Sequence, residues 1–270
     1  MSKNPLGEAT RYPSTYSPEL LFAVPRIEAR SSLGLSEDLP FSGVDLWSAW
    51  ELTWLDTNGK PVVATAEMRV PAVSPSIVES KSLKLYLNSL SMSRFENQAS
   101  VRDVIQDDLS KTAGTLVLVK ISPANTWHEH QVSQLPGKCI DASPASTSSK
   151  DVDPSLLKSH SPDIELEELH SHLLYSNCPV TNQPDSGSIL IRYSGSKIDE
   201  TSLLNYLVSY RQHNDFHEAC VERIFVDIKK QCGPQKLTVY ARYNRRGGLD
   251  INPFRSDFEG SVKNIRLWRQ

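Results

Sequence analysis

Four stretches of this sequence hold residues whose types and spacing suit chemistry. The first is Ser176-Asn177-Cys178-Pro179-Val180-Thr181-Asn182-Gln183-Pro184-Asp185. A buried structural cysteine belongs mid-strand or on an apolar helix face, whereas Cys178 is flanked by polar and turn residues. Two prolines stiffen the loop, which can then present the thiol rigidly to a pocket. At its reference pKa of about 8.5 a thiol is only a few per cent thiolate at neutral pH, so it needs a base or donors to its anion. Asp185, seven residues on, could take the thiol proton and later return it. A loop cysteine beside an unrelated turn aspartate would read the same way by pattern alone.

The second stretch is Glu79-Ser80-Lys81-Ser82-Leu83-Lys84-Leu85-Tyr86, preceded by Ile77 and Val78. Glu79 near a helix start suits simple capping, and two lysines three apart suit a solvated face. Free backbone N–H groups with Ser80 and Lys81 also suit an anion. The third is His217-Glu218 at the head of a helix, where a carboxylate either answers the helix dipole or grips a guanidine-like edge through two parallel N–H bonds. The fourth is Arg242-Tyr243-Asn244-Arg245-Arg246-Gly247-Gly248, three arginines beside a flexible pair of glycines. It suits phosphate recognition or a plain basic turn.

The elements that must position these residues repeat. In the first half, strands over Leu46 to Leu55 and Val62 to Val70 flank an Asn58-Gly59 hairpin turn. Helices over about Ser76 to Leu90 and Ser100 to Thr112 follow, the second with Ser100 as N-cap and Gly114 as stop. Thr115 to Ile121 closes the half as a strand. The second half offers strands over Leu169 to Tyr175 and Ser188 to Ser194. Helices over Glu200 to Gln212 and His217 to Gln231 come next, then a strand over Lys236 to Tyr243. Ser143 to Pro162, rich in Ser, Pro, Asp and Lys, separates the halves as an exposed loop. The expected fold is α+β, two modules at 1–135 and 136–270, each an antiparallel sheet with two helices. Sheet edges left open invite pairing with a second chain and closure into a barrel.

Composition narrows the function classes. A net charge of −3 offers no global basic field for nucleic acid. No apolar run approaches the roughly 18 residues that cross a bilayer, and Met1 to Tyr16 has no signal-peptide core. The expected location is cytoplasmic, where four dispersed cysteines argue against a disulfide framework. Cys139, Cys220 and Cys232 read as buried or inert. No GxGxxG follows a strand, and GxxxxGK[ST] and GxSxG are absent. Trp127-His128-Glu129-His130 and His170-Ser171-His172 resemble metal ligands, but spacing places no third or fourth ligand beside them. The reading therefore takes no metal.

Taken together, the four stretches resemble the QueF-type 7-cyano-7-deazaguanine reductases in their long, two-module form. The resemblance runs over roughly Leu46 to Arg255. Glu79 to Tyr86 matches the family signature, and Cys178, Asp185, His217-Glu218 and Arg245-Arg246-Gly247-Gly248 follow in the family's order without departure.

That resemblance implies the tunnelling fold and a homodimer or larger oligomer that closes the sheets into a barrel. It implies reduction of the nitrile of 7-cyano-7-deazaguanine to the primary amine with two NADPH, on the route to queuosine in tRNA. It makes Cys178 the nucleophile that forms a thioimide and Asp185 its proton partner. Glu218, helped by His217, would grip the base, with Ile77, Val78 and Glu79 contributed by the first module. Glu79, Ser80, Arg246 and Gly247 would border the cofactor, with Lys81, Lys84, Arg242 and Arg245 candidates for its extra phosphate. The first half has no Cys–Asp loop at its Asn58-Gly59 turn, so one active site per chain is expected. No direct nucleic-acid or membrane partner is implied. A zinc-dependent cyclohydrolase of the same fold, or a purine- or pterin-binding module with an inert Cys178, are the competing readings.

Overall fold

The computed structural model describes residues 12–36, 38–126, 131–146 and 151–270. Trp127-His128-Glu129-His130 lies outside those residues. In chain order the strands are β1 (Ala23–Pro25), β2 (Ser42–Leu55), β3 (Pro61–Pro71), β4 (Ser76–Val78), β5 (Leu118–Pro123) and β6 (Val132–Ser133). They continue with β7 (Lys138–Cys139), β8 (Ser159–Asn177), β9 (Pro184–Ile198), β10 (Lys236–Tyr243), β11 (Leu249–Ser256) and β12 (Arg266–Leu267). The helices are α1 (Arg26–Ser32), α2 (Ser80–Ser89), α3 (Gln98–Ala113), α4 (Glu200–Val208) and α5 (His217–Cys232). Two compact units result. The first draws its described residues from Met1–Ala29, Asp45–Gln131 and Arg245–Asp250, the second from Arg30–Val44, Val132–Asn244 and Ile251–Gln270.

In the first unit the strand order is β5-β3-β2. Along β3 the side chains of Ala64, Ala66, Met68 and Val70 are buried while the alternate residues are partly or fully exposed, the period of two that a one-faced strand needs. The turn into β3 is built as its sequence requires. Asp56 accepts from the N–H groups of Asn58 and Lys60, and Gly59 takes a φ of 86°. The helix expected from Ser76 is shorter than that. Ser76, Ile77 and Val78 instead pair with β1, because β-branched Ile77 and Val78 favour extended backbone with a partner strand at hand. The helix starts at Ser80. Likewise Asn97, not Ser100, caps α3, accepting from the Ser100 N–H at 2.9 Å. Gly114 ends α3 in the left-handed conformation, as its type predicts.

In the second unit the order is β11-β10-β9-β8-β7. β9 pairs antiparallel with both β8 and β10. β8 is 19 residues long, so the segment read as a loop up to Pro162 is already strand from Ser159. Helix α5 packs on β10 and is buried nearly all round, with Val221, Ile224, Phe225 and Ile228 in the core.

The repeat read from pattern is visible in hydrogen bonds. In the first unit Glu79 caps α2 through its side chain, and Ser82 Oγ returns a bond to the Glu79 carbonyl. In the second, Asp199 caps α4 and Ser202 Oγ bonds the Asp199 carbonyl. The capping N–H of Glu79 bonds Phe22 O, and that of Asp199 bonds Lys158 O. Tyr86 Oη donates to Asp108 at 2.7 Å, and Tyr206 Oη donates to Asp227 at 2.7 Å. Gly114 and Gly233 close α3 and α5 alike. Each unit thus locks its two helices with the same buried Tyr–Asp bond. Burial, more than the neighbouring hydroxyl and carboxylate, drives the Tyr206 pKa well above its ordinary value, so it stays a donor. Tyr206→Phe is expected to destabilise the protein by about 1–3 kcal/mol, because buried Asp227 loses its donor. An unchanged denaturant midpoint would remove that role. No helix among the described residues is long and apolar enough to cross a membrane.

Candidate active site

Register builds the Cys178 site within the second unit. β8 and β9 form a hairpin in which Asn177 faces Pro184 and Ser176 faces Asp185. Beyond the last pair, Cys178 N–H donates to Gln183 O at 2.9 Å, and Asn182 N–H donates to Cys178 O at 3.0 Å. Asn182 has a φ of 54°, a left-handed turn that asparagine tolerates better than most residues. Cys178 therefore opposes Gln183, and Asp185 is its diagonal neighbour. Such diagonal pairs share one face of the sheet, roughly 7–8 Å apart. The seven-residue spacing seen in the sequence is thus the length of a hairpin end.

A second contact brings in the helix. Asn177 N–H donates to His213 O at 2.8 Å, and Asp215 N–H donates to Asn177 O at 3.1 Å. Asn214 Nδ2 donates to Asn182 Oδ1 at 2.8 Å. The thiol loop is therefore clamped to the segment that leads into α5. That helix begins with Phe216 as an N-cap that offers no side-chain bond, while Phe216 N–H itself donates to Asp215 Oδ1 at 2.8 Å.

His217 and Glu218 occupy its first turn, 7% and 3% exposed. Asp185, 4% exposed, places Oδ2 at 3.2 Å from His217 Nε2, an ion-pair distance outside hydrogen-bond alignment. Neither ring nitrogen of His217 makes a hydrogen bond among the described residues. Its ring stacks on Tyr243, with centroids 3.7 Å apart and planes within 4°. Tyr243 was part of the basic motif but carried no role in the sequence reading, since nothing local signals a stack with a helix start 26 residues earlier. It fits because Gly187 faces it across β9, where even a Cβ would come within 3.1 Å of the ring.

The four cysteines separate by environment. Cys178 is partly exposed. Cys220 is fully buried, and burial, with the Asp215 charge second, pushes its thiol far above the ordinary range. Burial pushes Cys232 up to about 11. Both stay thiols, as expected. Of the expected buried-or-inert character, Cys139 loses the first half, because it lies exposed on a strand only two residues long at the sheet edge.

Within the first unit, Glu79 is a helix cap with both oxygens engaged: Oε1 accepts from Lys81 N–H at 2.9 Å and Oε2 from Ser82 N–H at 2.7 Å. Ile77 and Val78 are buried just before it, and Ser80 is partly exposed. A cavity of about 250 Å³ in this unit is lined by Lys81, Lys84, Glu51 and Thr53 with Gly247 and Gly248. Arg246 N–H bonds Leu249 O at 2.8 Å around those glycines, whose φ values of 59° and 76° make a tight turn. Arg245 is exposed, with its guanidinium 5.4 Å above the Trp50 ring. Arg242, in the second unit, is not available to a phosphate. It is 1% exposed and spends its donors on Gln270, Tyr240 and Asn264.

Comparison with known families gives two matches. The family described as "Nitrile reductase, 7-cyano-7-deazaguanine-reductase N-term" matches residues 12–121. The family described as "QueF-like protein" matches residues 184–260.

Proposed function

Because this chain belongs to the QueF family of 7-cyano-7-deazaguanine reductases, nitrile oxidoreductases of queuosine biosynthesis, we propose that it works through Cys178 as a covalent nucleophile with Asp185 as its proton partner. The observation that carries this reading is the hairpin register, which sets a partly exposed thiol diagonal to a buried carboxylate beside a helix N-terminus.

Cys178 Sγ adds to the nitrile carbon, and its proton passes to Asp185. Asp185 then delivers the proton to the nitrile nitrogen, completing a thioimide whose C=N bond is open to reduction. NADPH, when bound, supplies two electrons in each of the two reductions that the nitrile requires. After the first, Cys178 leaves as thiolate, and its departure yields an imine. Burial around Asp185, His217 and Glu218 limits water, which would otherwise hydrolyse that imine. Glu218 grips the guanidine-like edge of the base through two parallel N–H bonds, with His217 donating beside it. Ile77, Val78 and Glu79 complete substrate recognition in this proposal.

Glu79, Ser80, Arg246 and Gly247 would border the cofactor. What supports this is the first-unit cavity, where Lys81 and Lys84 stand beside the Gly247–Gly248 turn, with Glu51 also in the lining. Lys81, Lys84 and Arg245 are the proposed phosphate ligands. The reading also carries the 1–135 and 136–270 modules as tunnelling folds, a homodimer that closes the sheets into a barrel, and a cytoplasmic location.

The test is NADPH oxidation with 7-cyano-7-deazaguanine. Two cofactors consumed per substrate support the proposal, and no consumption refutes it. Asp185→Asn keeps the shape but cannot accept the thiol proton, so kcat should fall by about 10²- to 10⁴-fold. A rate within twofold of the parent would strip Asp185 of its role.

A further inference from the structure

Away from the Cys178 loop, the second unit gathers three metal-binding side chains at one edge of its sheet. β7 pairs parallel with β8 and sets Cys139 directly beside His170. His172 lies two residues along β8, so it shares that face. The Cys139 sulfur and one ring nitrogen from each histidine all lie within 4.8 Å of one another. Spacing could not bring Cys139 to the His170-Ser171-His172 motif, because only the β7–β8 pairing does so.

The surroundings orient the rings. His170 Nδ1 lies 2.9 Å from Pro136 O. A carbonyl only accepts, so Nδ1 carries the hydrogen and Nε2 of the neutral ring keeps its lone pair. His172 Nδ1 lies 2.8 Å from Ser188 Oγ, and as a donor to that hydroxyl it leaves the Nε2 lone pair for a metal. Asp141 accepts from Ser171 Oγ at 2.6 Å and from the His172 N–H, and Arg269 donates to His172 O at 2.8 Å. Metal-ligating histidines are held by outer contacts of this kind. The approach of β7 depends on Gly137, which has a φ of 76°. A Cβ there would stand 2.1 Å from Glu168 O, so only glycine lets the strand come this close.

We propose that Cys139, His170 and His172 form a zinc site that clips β7 to β8, with water in the fourth position. One thiolate and two imidazoles are the donor set zinc favours. On binding, Cys139 gives its proton to solvent and the sulfur bonds the metal, with no change of oxidation state. Ligand atoms around a tetrahedral zinc stand roughly 3.3–3.6 Å apart, so closure needs movement of about 1 Å, within reach of a turn of the exposed Cys139 side chain. His172 is six residues before Cys178 on β8, roughly 20 Å along an extended strand. That separation, and not the water in the fourth position, assigns the site a structural role with no part in nitrile reduction.

The test is cobalt(II) titration of tag-free, chelator-stripped full-length protein, followed by displacement with zinc. The expected result is one equivalent bound, with tetrahedral visible bands and a thiolate-to-cobalt band that zinc abolishes. The thiolate band should persist in Cys178→Ala and vanish in Cys139→Ser, and His172→Ala should lose the tetrahedral bands. Ser188→Ala should weaken binding by about 10- to 100-fold. Binding without a thiolate band, or equal binding by Cys139→Ser, overturns the site. Nitrile reduction by the stripped protein should match the zinc-loaded rate. Loss of turnover on stripping that zinc restores would overturn the structural assignment while leaving the site itself in place.

Discussion

Cys178→Ala should show no turnover of 7-cyano-7-deazaguanine, a fall of at least about 10⁴-fold in kcat, because the covalent route is removed and not merely slowed. Mass spectrometry separates this outcome from a folding defect. Without NADPH, the parent protein mixed with substrate should gain the mass of one substrate molecule, the thioimide being an addition with no leaving group. Cys178→Ala should gain nothing, yet it should still bind substrate, because His217 and Glu218 are untouched. If Cys178→Ala turned over at a tenth of the parent rate, the nucleophile assignment would fail and a binding module with an inert thiol would regain its place. The other cysteines provide the contrast. Cys220 and Cys232 are buried and held as thiols by that burial, so neither should form the adduct.

Glu222→Ala should be among the most damaging substitutions to stability, at about 3–5 kcal/mol. Glu222, 2% exposed on α5, accepts from Arg30 Nε and Nη2 at 2.9 and 2.7 Å. It also accepts from Arg255 Nε and Nη2 at 3.0 and 2.8 Å. Arg30 is 7% exposed and Arg255 is fully buried. One carboxylate therefore answers two guanidiniums, and its removal takes the compensating negative charge from both in low dielectric. The exposed pair Arg102–Asp103 is a control, because solvent screens it and Asp103→Ala should cost no more than about 1 kcal/mol. Denaturant unfolding of the two variants measures the contrast. Equal midpoints would mean that the buried triad contributes no more than a surface pair.

Those two residues were unequally legible. Cys178 and Asp185 lie seven residues apart in one loop, and their loop chemistry marks them without any structure. Glu222 looked like any helix carboxylate. Its partners are 192 residues before it and 33 after it, and no local pattern names them.

The same division runs through the fold. Sequence alone determined the features that close over a few residues: the Asn58-Gly59 turn, the glycine stop at Gly114, and the two helix pairs. In each case the deciding interaction joins near neighbours, so residue type and spacing carry the information. It also determined the repeat, since equal orders of turn, strand and helix survive in pattern. The tertiary structure decided where pattern left a choice. Ser76 to Val78 became strand because β1 was there to pair with it. It also withdrew Arg242 from the surface, stacked Tyr243 under His217 and carried Cys139 to His170 and His172. Each of these depends on strand register between distant segments, which fixes which side chains share a face, and no local spacing encodes that.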